Sequence, residues 1–139
     1  MMITAKRWLI WPVCVVLLAC PQKTAVWLDS EATVDRAVFV LGREQGRPIA
    51  IELGLMRVDQ CDALIDGAYP SADNAEWFLE AMAADVLIER LTYGSVPEGF
   101  REASPARNLE LGGCYEVTIT GSGTLRFQVA EDGRLHEAP

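Results

Sequence analysis

A period of two across residues 114 to 137 constrains the fold more than any other feature of this chain. Tyr115, Val117 and Ile119 point one way, and Glu116, Thr118 and Thr120 the other. After Gly121-Ser122-Gly123, Leu125, Phe127 and Val129 alternate again, and Asp132-Gly133 precedes Leu135. Side chains two apart share a face in a strand and not in a helix, and Asp-Gly is a tight-turn signal. The segment therefore reads as an antiparallel meander with one buried face.

The same period recurs upstream. Ala37 to Leu41 is β-branched and aromatic and stops at Gly42. Gly46-Arg47-Pro48 marks a turn, after which Ile49, Ile51, Leu53 and Leu55 alternate with Ala50, Glu52 and Gly54. Met56 and Val58 shift the parity by one, which predicts a bulge or twist near Gly54. This strand delivers Cys61 at its end.

The middle of the chain supports two readings. Residues 74–91 contain no Gly or Pro and are rich in Ala, Leu and Glu, so a short helix near residues 74–84, capped by Asn74, is one of them. The other is a short strand or helical turn at Trp77 to Ala81, then a strand from Val86 to Tyr93, where Leu87, Glu89, Leu91 and Tyr93 alternate with their neighbours. Val96-Pro97-Glu98-Gly99 fits a type I turn with Pro at its second position and Gly at its fourth. Short strands spaced by turn signals give an all-β antiparallel sandwich as the expected class.

The first 19 residues do not fit that domain. Lys6 and Arg7 precede a run from Trp8 to Ala19 that carries no charge. A basic start, a short apolar core and a small residue at a cleavage point form the pattern of a secretory signal. At twelve residues the run is shorter than the roughly 20 needed to span a bilayer. Leu17-Leu18-Ala19-Cys20 resembles the lipobox of bacterial lipoproteins; ordinary signal peptidase favours a small residue at position 17, where this chain has Leu. The resemblance implies cleavage before Cys20, diacylglycerol on its thiol and a third acyl chain on its new amino group. Multiple chains make a stable anchor where one binds only marginally. Pro21 stands where many such lipoproteins carry an Asp that keeps them in the inner membrane, so the resemblance implies the periplasmic face of the outer membrane.

On this reading residues 1–19 are a signal peptide, 20–25 a lipidated tether and 26–139 a single domain. Five residues, Pro21 to Ala25, separate Cys20 from the apolar pattern at Val26, and extended they reach at most about 17 Å. Loss of Lys6 and Arg7 takes Lys+Arg from 12 to 10 against 20 Asp+Glu, a net charge of −10. Such a domain repels polyanions, which argues against nucleic acid as a partner. With Cys14 removed and Cys20 acylated, Cys61 and Cys114 remain, and two cysteines in an oxidising compartment pair by default. The alternative is two buried free thiols.

Catalytic chemistry finds little footing. His136, the single histidine, lies in the last four residues and reads as a solvated tail residue. Gly121-Ser122-Gly123 has hairpin composition, and Lys23 in the tether is the one lysine left after cleavage. Asp59, Asp62 and Asp66 gather around Cys61 but lack the spacing of a calcium loop, so a polar loop after a strand is the simpler reading. Zinc has no Cys/His set, and no motif asks for a cofactor. Trp27, Trp77, Phe78 and Phe100 are candidates to line a groove, although aromatics at strand positions more often belong to the core.

Tyr93-Gly94-Ser95-Val96-Pro97-Glu98-Gly99-Phe100, Leu111-Gly112-Gly113-Cys114-Tyr115-Glu116-Val117 and the Phe127 to Asp132-Gly133 hairpin resemble small proteobacterial lipoproteins. Over roughly residues 85 to 135 the resemblance implies an immunoglobulin- or transthyretin-like β-sandwich and no activity. The function expected from the sequence is a non-catalytic, membrane-anchored binding or assembly module that meets another envelope protein. The alternative is an envelope inhibitor of a basic hydrolase such as lysozyme, which an acidic surface would suit.

Overall fold

Alternation in the sequence becomes two antiparallel sheets whose apolar faces meet. The computed structural model describes residues 26–42, 52–61, 69–83, 86, 88–120 and 123–138. Its strands are β1 (Val26–Leu28), β2 (Val38–Leu41), β3 (Glu52–Val58), β4 (Trp77–Ala81), β5 (Arg90–Thr92), β6 (Phe100–Ser104), β7 (Cys114–Ile119), β8 (Gly123–Val129) and β9 (Leu135–Glu137). One sheet has the order β1-β2-β5 and the other β6-β4-β3-β7-β8-β9, with every pairing antiparallel. This is an all-β sandwich.

The core lies between the sheets. Val26, Phe39, Leu41 and Leu91 of the smaller sheet join Leu53, Leu55, Trp77, Leu79, Val117 and Phe127 of the larger in one buried cluster. Phe39 and Phe127 meet across the interface with ring centroids 5.5 Å apart. Burying one such side chain contributes about 1.5–3 kcal/mol relative to leaving it exposed, which outweighs the strand propensity of any single residue.

Three local expectations are corrected. Of the two readings of the middle, the strand at Trp77–Ala81 is the one observed, as β4, because Trp77 and Leu79 fill the core on one face; no helix forms near residues 74–84 among the described residues. Asn74 caps a turn rather than a helix, its Oδ1 accepting from Ser71 N at 2.7 Å. The strand expected over Val86 to Tyr93 contracts to Arg90–Thr92, since Ile88 and Leu91 both enter the core and their spacing of three breaks a strand's parity. Leu87 lies outside the described residues. The bulge expected near Gly54 is absent: β3 pairs with β7 in unbroken register from Leu53 to Val58, and the register shift falls between Phe78 and Leu79 on β4.

The turn before β6 is displaced by one residue. Phe100 N donates to Pro97 O at 3.2 Å and Gly99 has φ +85°, so glycine occupies the third position of a turn running from Pro97 to Phe100. Only a residue without Cβ adopts that φ at little cost.

Candidate interaction surface

The larger sheet has two edges, and the chain treats them differently. At β9, Leu135 N donates to Ala32 O, Val34 N to Gly133 O, and Leu28 N to the Glu137 carboxylate at 2.8 Å. The segment after β1 thus covers that edge. At β6 the sequence Phe100-Arg101-Glu102-Ala103-Ser104 is paired on the β4 side, and Arg101, Glu102 and Ala103 are exposed. Its charges follow the sheet: Arg101 pairs with Glu80 on β4, and Glu102 accepts from the Trp77 indole N–H at 2.9 Å. A short, charged edge resists indiscriminate pairing. Among the described residues no strand pairs with its other side, where an extended segment of a partner could add.

Exposed apolar side chains flank the start of this edge. Met82, which leaves β4 with its N–H on Gly99 O, is 67 % exposed, and Val96 of the preceding turn is 42 % exposed. Methionine conforms to irregular partners, which suits a contact surface.

On the outward face of the larger sheet, two described points of the segment after β3 lie against the strands. Cys61 and Cys114 form a disulfide with Cα atoms 5.4 Å apart, fastening the start of that segment to β7. Further on, Pro70 lies over Gly54, where a Cβ would come within 2.4 Å of the proline ring. Phe78 is buried beside the same glycine on this outward side, so the groove role considered for it does not arise. Both faces of β3 are therefore partly apolar, which is why Met56 and Val58 break the sequence parity while β3 keeps its register with β7.

The same face holds a buried ion pair. Glu116 lies on the side that alternation opposes to Tyr115, Val117 and Ile119, yet it and Arg126 are 1 % and 9 % exposed. They are direct cross-strand partners on β7 and β8, and Arg126 Nη2 donates to Glu116 Oε2 at 2.9 Å. Arg126 Nη1 also reaches Gln60 O at 3.5 Å, next to Cys61 in the chain. Register decides the pairing: β7 and β8 set Ile119 opposite Gly123, which puts Glu116 opposite Arg126.

Two tyrosines fix the long connection between β6 and β7. Tyr115 OH accepts from Glu110 N at 2.8 Å, and the ring sits under Gly113, where a Cβ would lie 2.8 Å from it. Tyr93 OH donates to Arg107 O at 2.7 Å, and its ring meets Trp77 edge-on with centroids 5.1 Å apart. Burial pushes the Tyr93 phenol well above its ordinary value of 10.0, so it stays a donor.

The remaining sequence candidates disperse. Trp77 and Phe100 are in the core, whereas Trp27 is exposed on the smaller sheet's outward face. His136 belongs to β9, opposite Gln128, with an exposed side chain, so it is a strand residue and not a loose tail. Asp59 is exposed at the end of β3, and Asp62 and Asp66 lie outside the described residues, as does Cys20. Among the described residues no three His, Cys, Asp or Glu side chains gather as a metal site would require. No protein-family model matches the chain, and no curated protein or solved structure matches it either.

Proposed function

We propose that this protein is a lipid-anchored, non-catalytic module of the cell envelope that holds a partner protein at a membrane surface. The observation that carries the reading is the distance in sequence between the candidate anchor and the fold. Among the described residues the buried framework begins at Val26, six positions after Cys20. A module that needed reach would have a longer spacer; this one is kept where its anchor is. The β6 edge, with Met82 and Val96 beside it, is the surface through which it engages that partner.

The test has two arms. Radiolabelled palmitate should enter the wild-type chain and not Cys20→Ala, which should accumulate at precursor mass; normal processing of that variant would sink the anchor. A photo-crosslinking residue at Ala103 should capture an envelope protein that the same residue at exposed Glu131 does not. Equal capture at both positions would remove β6 as the contact. An acidic, diffusible inhibitor of a basic hydrolase is the competing reading, and it predicts full activity from a soluble version lacking Cys20.

A further inference from the structure

Trp27 sits next to the chain's entry into the fold, yet its side chain does not join the core. Val26 and Leu28 turn inward while Trp27 faces out, 43 % exposed. The ring has a prepared seat. It lies over Gly42, where a Cβ would fall 2.1 Å from the indole Cη2. Across the sheet the row continues as Val40 on β2 and Arg90 on β5. Arg90 turns its guanidinium to Asp29 at 2.5 Å, so the carboxylate nearest this row is compensated. The row thus joins an aromatic ring, an aliphatic side chain and a guanidinium whose charge Asp29 balances.

We infer that the outward face of the three-stranded sheet, centred on Trp27, rests in the headgroup region of the bilayer that holds Cys20. The inference rests on the anchor reading and adds which face meets the lipid. Seven residue steps from Cys20 to Trp27 span at most about 25 Å when fully extended. A domain of this length has a radius of gyration of about 13 Å and is roughly 35 Å across. The anchored domain therefore cannot turn Trp27 to its far pole. Tryptophan, with an apolar ring and one N–H donor, is the side chain most at home at the membrane–water boundary.

The mature chain supplies its own spectroscopic control. From Cys20 onward its tryptophans are Trp27 and Trp77, and Trp77 is buried with its indole N–H on Glu102. The acylated protein is placed in phosphatidylcholine vesicles whose acyl chains are either ordinary or brominated, a contact quencher. Brominated lipid should remove about half or more of the Trp27 emission, as for an interfacial indole, and leave that of Trp27→Phe unchanged. Unquenched wild-type emission, with acyl mass confirmed on Cys20, would overturn the lipid-facing assignment and leave the anchor standing. Absence of acyl mass on Cys20 would overturn both. The wild-type measurement decides the matter even if the variant fails to fold.

Discussion

Glu116 and Arg126 stand directly opposite each other on neighbouring strands, both buried, with 2.9 Å between carboxylate and guanidinium. Charges taken out of water are costly alone and tolerable together. Glu116→Gln should therefore destabilise the domain by about 3–5 kcal/mol, read from urea unfolding, because the guanidinium loses its counter-charge in a buried place. The double variant Glu116→Leu/Arg126→Leu should recover most of that loss. Equal damage from the single and double changes would show that the pair's charges do not compensate each other.

The disulfide closes a loop of 53 positions, and a cross-link of that length restricts the unfolded chain by about 4 kcal/mol. Cys61→Ser/Cys114→Ser should lower stability by an amount of that order. Reduced wild-type protein should match it in the same urea titration. If reduction leaves the midpoint where it was, the bridge does not stabilise the fold.

Pro70 rests on the bare backbone of Gly54, so a methyl group there has nowhere to go. Gly54→Ala should cost about 1–3 kcal/mol by pushing Pro70 off β3. Limited proteolysis next to Pro70 should then be faster than in the wild type. Unaltered cleavage would mean that the seat of Pro70 on Gly54 does not hold this part of the chain.

Asp29 gives the domain one acid-sensitive contact. The Glu31 backbone N–H, and then the Arg90 guanidinium, hold its carboxyl below the ordinary value of 3.8. A carboxyl lowered by folding stabilises the folded state above the unfolded value, and that contribution is lost as pH falls through the folded one. Asp29→Asn should lower the urea midpoint at pH 7, and the difference should shrink as pH falls from 3.8 through the folded carboxyl's lower value. A difference that persists unchanged at the lower pH would place the effect in packing rather than charge.

The meander was legible because β7 and β8 advertise one face with Tyr115, Val117, Ile119, Leu125 and Phe127 and mark their turns with glycine. The region before it was less so. Residues with high helix propensity, Ala75 and Glu76 and then Leu79 to Met82, lie in or beside β4, where burial of Trp77 and Leu79 outweighs local preference. Period alone also assumes a dry face and a wet face. Glu116 and Arg126 are instead interior residues on the face that parity opposes to the core. The disulfide was readable from the cysteine count and the expected compartment, whereas the place of β6 at the end of the sheet depends on strand order, which no local pattern encodes.

The hydrogen bond from Leu28 to Glu137 joins positions 109 apart, and Val34 and Ala32 are tied to Gly133 and Leu135 in the same way. The first strand thus leans on the last. During synthesis no leading portion of the chain can complete its framework before the final residues appear, and pairings this distant in sequence form slowly. Under the export proposed above, such a delay would keep the chain threadable until residues 133–137 had crossed.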